Sequence, residues 1–167
     1  MKNSLIIFTV TLLFLCNLTF AETIKFKTKN IEIFEDKKQF IAGKGKAISS
    51  DGNIEINADK FDYQENLGLL KSNGNGKAII KSENLIITFD RLIYNQISKK
   101  IEASGNVEIF QVKKKILIQT KKVFYDLKKN LVHSDTKSTL KDNYNNLFNV
   151  DSFKFEMNND LLKLQNL

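Results

Sequence analysis

The 167-residue sequence has no proline, no tryptophan, one cysteine (Cys16) and one histidine (His133). Without paired cysteines there is no disulfide scaffold, and without several Cys or His ligands nearly every zinc site is excluded. Any Ser-His-Asp or Cys-His mechanism would have to run through His133. Arginine is also scarce: of 26 basic residues only Arg91 is not a lysine. The lack of proline is permissive, because proline would interrupt the hydrogen-bond ladder of a long strand. What remains is 42% hydrophobic and 27% charged, with a net charge of +7. That composition buries a core and does not describe a disordered tail.

Residues 1–21 read as an export signal. Lys2 gives a positive start, Leu5 to Leu15 is nearly all apolar, and Thr19-Phe20-Ala21 places small residues before a cut at Glu22. The apolar core is about eleven residues, short of the roughly twenty that a membrane span requires. The alternative is an uncut anchor. Lipoprotein processing at Cys16 is disfavoured by Leu15, which stands where a small residue is wanted. Cleavage leaves residues 22–167 as one cysteine-free domain, and loss of Lys2 lowers the charge to +6. A chain exported without disulfides relies on its core and its strand hydrogen bonds.

The exported part repeats itself every 31 residues. Tyr63, Tyr94 and Tyr125 keep this spacing, and so do Gly43, Gly74 and Gly105. Ile54 and Ile56 become Leu85 and Ile87, then Ile116 and Ile118, while Phe61 becomes Leu92, then Val123. Asp59 and Asp90 match, but Lys121 breaks the set, and Thr136 replaces the glycine of the earlier copies. A partial fourth copy, Val150 to Phe155, ends the chain. Such a period marks stacked units, none of which buries its apolar face alone.

Each unit has strand periodicity. Ile54-Glu55-Ile56-Asn57-Ala58 alternates apolar and polar on even numbers, whereas Phe61-Asp62-Tyr63 alternates on odd ones. The same parity switch separates Leu85/Ile87/Phe89 from Leu92/Tyr94, and Ile116/Ile118 from Val123/Tyr125. Keeping one face inward across such a switch requires a bulge or bend near Asp59-Lys60, Asp90-Arg91 and Lys121-Lys122. A polar turn follows each tyrosine, and a returning strand such as Ile101 to Ile109 follows the turn. The expectation is an all-β fold, a curled antiparallel sheet of a dozen or more strands with its apolar side inward.

Candidate chemistry is sparse. Asp59 and Asp90 share a register and invite an acid–base pairing, but an aspartate at a strand bend ordinarily satisfies local donors. His133 could act as a general base, but a surface histidine is the expectation. Gly43-Lys44-Gly45-Lys46 and Gly74-Asn75-Gly76-Lys77 resemble phosphate loops only superficially, since they lead into strands and not into a helix N-terminus. Lys113-Lys114-Lys115 and Lys121-Lys122 form a basic stretch, which export argues against as a nucleic-acid site; a solvated hairpin end is the expectation. No metal or cofactor site is expected.

The main signal is a ladder of apolar residues: Ile54, Ile56, Phe61, Tyr63, Leu85, Ile87, Leu92, Tyr94, Ile101, Val107, Ile109, Ile116, Ile118, Val123 and Tyr125. It is too long for a catalytic pocket. It reads either as an ordinary closed core or as a groove for acyl chains, with lysines at the rim for phosphates. Two alternating segments near the ends, Ile31-Glu32-Ile33-Phe34 and Phe153-Lys154-Phe155, are the candidate edge strands.

Two segments carry a resemblance. Ile54-Glu55-Ile56-Asn57-Ala58-Asp59-Lys60-Phe61-Asp62-Tyr63 resembles the motif I-x-A-D-x-x-x-Y, and Ala103-Ser104-Gly105-Asn106-Val107-Glu108-Ile109 resembles its partner A-x-G-N-V-x-I. Together they look like the OstA-like family of the lipopolysaccharide transport system, over roughly residues 24–160. That family comprises the periplasmic bridge LptA, the N-terminal domain of the outer-membrane LptD, and more distantly the anchored LptC.

The resemblance implies an open β-jellyroll in the periplasm that passes lipopolysaccharide along a hydrophobic interior without catalysis or cofactor. It also implies edge-strand pairing with LptC-like and LptD-like jellyrolls and head-to-tail self-association. A short chain with a cleaved signal and no C-terminal barrel looks most like the bridge. An LptC-like anchored protein and an LptD fragment are the alternatives. An enzyme acting on an envelope glycan would require acids clustered in one cleft, and here they are scattered singly.

Overall fold

The computed structural model describes residues 23–166, so the export signal expected over residues 1–21 lies outside the described residues. Fifteen strands form one antiparallel sheet. In chain order they are β1 (Lys25–Thr28), β2 (Ile31–Phe34), β3 (Gln39–Ala42), β4 (Gly45–Ile48), β5 (Ile54–Ala58), β6 (Lys60–Gln64), β7 (Leu69–Ile80) and β8 (Leu85–Asn95). Then follow β9 (Lys100–Gln111), β10 (Ile116–Asp126), β11 (Leu131–Ser134), β12 (Ser138–Lys141), β13 (Leu147–Val150), β14 (Ser152–Glu156) and β15 (Leu161–Gln165).

The sheet is folded along its middle into two walls. The long strands β7 to β10 cross the fold, and their pairings shift register at Asn73/Gly76, Thr88/Arg91 and Thr120/Lys122. On either side the walls separate into short strands. Wall I takes β2, β3 and β6 at one end and β11, β14 and β15 at the other; wall II takes β1, β4 and β5, then β12 and β13. This is the bend that the parity switch requires. Ile54, Ile56 and Ala58 point inward before it, and Phe61 and Tyr63 after it, all at most 5% exposed. The inner faces pack on each other: the ring of Phe26 in wall II meets Phe61 in wall I edge-on at 5.8 Å. The result is an all-β, open jellyroll whose core, among the described residues, is drawn from positions between Ile24 and Leu162.

Two corners along the bend share one latch. Gly74 and Gly105 take left-handed φ of +80° and +72°, and the asparagines after them are left-handed too. Asn75 Nδ2 donates to Asp59 Oδ2 at 2.6 Å, and Asn106 Nδ2 donates to Asp90 Oδ2 at 2.9 Å. The recurring Asp and Gly-Asn are therefore one device: the glycine lets the strand turn beneath the aspartate, and the asparagine ties the bulge to it. At the third corner, where Lys121 and Thr136 break the pattern, hydroxyls replace the latch. Thr120 Oγ1 lies 2.8 Å from Thr136 Oγ1 and 3.1 Å from Ser134 Oγ, and Ser134 Oγ donates to the Lys122 carbonyl at 2.6 Å.

One expectation is corrected. Phe153-Lys154-Phe155 is not an edge, because β14 pairs with β11 on one side and β15 on the other. The edges are β2 and β15 in wall I and β1 and β13 in wall II. The partial fourth repeat is followed by one more returning strand, β15, which takes the outermost place. Ile31–Phe34 is an edge as expected, and all four of its residues are exposed.

Candidate functional site

The 31-residue period equals two strands, so equivalent residues fall on alternate strands in one cross-strand row. In wall II the row runs Phe26, Ala47, Ile56, Ala78, Ile87, Ile109, Ile118 and Leu140. In wall I it runs Phe40, Tyr63, Leu70, Tyr94, Ile101, Tyr125, Val132 and Phe155. Nearer the bend in wall I lie Phe61, Leu92 and Val123, and Val107 sits opposite Thr120. Nearer the open side of wall II lie Ile54, Leu85 and Ile116.

The structure thus brings the whole apolar ladder together. Its members are at most 5% exposed, apart from the partly buried Ile116. The interior is a closed seam with the two walls in contact. Leu70, Ala78, Ile80, Phe89, Ala103, Val132, Leu140 and Phe155 line the same seam beyond the members of that ladder. Their signal was the same alternation read on the returning strands. Alanines interleave with isoleucines in the wall II row, which sets the walls close together.

The side opposite the bend is the mouth, where the turns of the two walls face each other. Its inner lip is made of tyrosine hydroxyls. Tyr63 OH donates to Gln96 Oε1 at 2.7 Å and Tyr125 OH to Asn130 Oδ1 at 3.3 Å. Burial, then the charges of Glu65 and Glu83 respectively, push both phenols above their ordinary range, so they stay neutral donors.

Two polar contacts span the mouth. Lys114, in the β9–β10 turn of wall II, lies 2.9 Å from Asp160 Oδ1 in the β14–β15 turn of wall I, with its Nζ 5.6 Å from the ring centre of Phe155. Asp51, in the β4–β5 turn, is opposed by Lys99 of the β8–β9 turn. Burial acts to raise its carboxyl, but the Ser49 hydroxyl, the Asn53 N–H and the Lys99 charge together hold it below the ordinary range. The side chains of Lys114 and Asp160 are 28% and 72% exposed, so such a contact adds at most about 1 kcal/mol. The mouth is held shut weakly and the bend strongly.

The other candidates are kept apart. Asp59 and Asp90 are partners of asparagines at separate corners, and Asp59 also lies 3.5 Å from the Lys44 ammonium. His133 lies on the outside of wall I, stacked on Phe124 at 5.3 Å, while its neighbour Ser134 points inward. Lys113–Lys115 occupy the β9–β10 turn and Lys121–Lys122 the bend in the middle of β10, so the basic stretch does not form one patch. A hollow of about 660 Å³ lies at wall I, lined by Ile93, Glu102, Phe124 and His133 among others. Among the described residues no group of three or more His, Cys, Asp or Glu is placed to hold a metal. None of their helices is long and apolar enough to cross a membrane.

No family model matches the sequence, and neither does any curated protein. Among solved structures, the chain is similar to LptH of Pseudomonas aeruginosa, the LptA-homologous periplasmic component of its lipopolysaccharide transport device. That alignment covers 87% of this chain and 84% of the other, at 9% identity and a TM-score of 0.32.

Proposed function

We propose that this protein is a non-catalytic, periplasmic lipopolysaccharide carrier that takes acyl chains between its two walls and passes them along the seam as part of a transport bridge. The observation that carries the reading is the seam itself: an apolar interior that crosses every inner strand, closed on one side by covalently continuous strands and spanned on the other by polar contacts such as Lys114–Asp160. Parting the walls at the mouth exchanges protein–protein apolar contact for protein–acyl contact. Little apolar surface meets water in that exchange, and each buried methylene is worth about 0.8 kcal/mol. A lipid with several acyl chains can therefore open the seam without a polar specificity site. The motif resemblance supplies the cargo class, a phosphorylated glycolipid, and the lysine excess suits its anionic head.

Bridging rests on the edges. β1 and β2 at one end and β13 and β15 at the other leave unpaired backbone donors and acceptors. Pairing one end with the other is heterologous and builds an open row of jellyrolls, with LptC-like and LptD-like proteins as the terminal partners. No cofactor or nucleic acid enters the mechanism.

Photocrosslinkers test the seam. At Ile87 and Ile118, which face inward on wall II, they should capture lipopolysaccharide. At Glu55, which faces outward, and at the turn residue Lys81, they should not. Equal labelling at all four sites would remove the reading.

A further inference from the structure

The outer face of wall II carries an apolar stripe of its own. One step outward from its inner row, the outer cross-strand row reads Lys25, Ile48, Glu55, then Ile79, Ile86, Phe110 and Leu117 on four adjacent strands, then Lys141 and Leu147. At about 4.8 Å between strands the unbroken apolar part is about 14 Å long. Its four side chains are half-buried by their neighbours within the sheet, and no described segment packs over them. In sequence the stripe shows as runs without alternation, Leu85-Ile86-Ile87 and Ile116-Leu117-Ile118, the pattern of strands covered on both faces. The outer face of wall I differs: there Lys71, Ile93, Glu102 and Phe124 alternate charged and apolar across the strands.

The charge around the stripe decides what covers it. Lys25, Lys27, Lys77 and Lys141 project from the same face, and among the described residues none has an ion-pair partner. The acids on that face are Glu55, held by Lys46 at 2.7 Å and Lys81 at 2.6 Å, and Glu108, which accepts from Gln119 at 2.7 Å. The face is therefore a narrow apolar stripe bordered by free lysines. A second copy is a poor fit, because a stable interface buries about 800 Å² per partner and this stripe is one residue wide. An anionic bilayer surface matches both features: shallow contact for the stripe and lipid phosphates for the lysines.

We propose that the outer face of wall II is a peripheral docking surface for anionic phospholipid membranes, separate from the seam. It lays the jellyroll flat against a leaflet with its interior and edges free. The proposal does not rest on the carrier reading, because ordinary phospholipid is the ligand and outward residues make the contact.

The test uses the chain from Glu22 onward, which contains every core residue among those described. Its cosedimentation with phosphatidylcholine vesicles is compared with vesicles containing about one-third phosphatidylglycerol. The expected result is binding to the anionic vesicles only, weakened by salt. Affinity should fall about tenfold in Ile86→Thr/Phe110→Thr and by a similar factor in Lys77→Gln/Lys141→Gln. Threonine is a good strand residue, and an unchanged unfolding midpoint confirms that the variants fold.

No vesicle binding, equal binding to both vesicle types, or undiminished binding by either variant overturns the proposal. So does concentration-dependent dimerisation of the parent that Ile86→Thr/Phe110→Thr abolishes, which assigns the stripe to a second copy. Lipopolysaccharide capture at Ile87 is read separately, so the two readings can fail independently.

Discussion

The corner latch yields the sharpest quantitative expectation, because its parts are few and their distances are fixed. Gly105 has φ +72°, and a Cβ added there would run into Asp90 Oδ2 and stand 2.8 Å from its Cβ and 3.0 Å from its Cγ. Gly105→Ala therefore meets two costs. Left-handed backbone costs an L-residue about 1–2 kcal/mol. The carboxylate can swing aside by giving up Asn106, a bond worth about 0.5–1.5 kcal/mol, but the Asp90 Cβ cannot move without the backbone. The total is of order 2–4 kcal/mol.

Asp90→Gly alone loses the Asn106 bond and adds glycine's backbone entropy, about 1–2 kcal/mol in all. In the double variant Asp90→Gly/Gly105→Ala the contact is gone and only strain and entropy remain. Denaturant unfolding of the four proteins should show the double variant at least about 1 kcal/mol more stable than additivity allows. Lys121→Ala, at the corner without a latch, should stay within about 0.5 kcal/mol of the parent. Additive effects at Asp90 and Gly105 would refute the latch, and a large loss at Lys121 would show that the third corner works differently.

Three further outcomes follow from the same geometry. Hydrogen bonds from Lys46 and Lys81, with their charges, hold the half-buried Glu55 down to about 2 against an ordinary 4.5. A lowered folded-state value stabilises above pH 4.5 and is lost as the pH falls toward 2, so acid unfolding of the parent and Glu55→Gln should converge over that window. At the mouth, Lys114→Cys/Asp160→Cys in the chain from Glu22 onward, joined by a short bis-maleimide, should leave folding intact and suppress lipopolysaccharide capture at Ile87. Equal capture with and without the tether would mean that lipid enters by the ends of the seam. Prolines placed singly at Leu162, Lys163 and Leu164 test the β15 edge by sedimentation: successive N–H groups point to opposite sides, so a proline that removes an outward donor should weaken association and spare the unfolding midpoint. A parent that stays monomeric at high concentration and does not pair with other jellyrolls would remove the edge mechanism.

The sequence by itself determined the strands, the bends and the inward set. Alternation has a period of two, so a change of parity at Asp59-Lys60 or Asp90-Arg91 admits no straight strand, and the bulges lie where the parity changes. The repeat of 31 likewise placed Tyr63, Tyr94 and Tyr125 in one row before any pairing was known. Pairing partners were less legible. Phe153-Lys154-Phe155 reads as an edge because it lies near the chain end, but an edge is defined by what fails to pair beside it, and β15 supplies that partner. The meaning of the recurring Asp, Gly and Asn also had to await the tertiary structure, since Asp90 meets Asn106 only when neighbouring strands are side by side. Whether the apolar ladder faces a gap or the opposite wall was decided by the bend angle and by the size of the facing residues. Alternation records which side chains turn inward, and only the packed walls determine what they meet there.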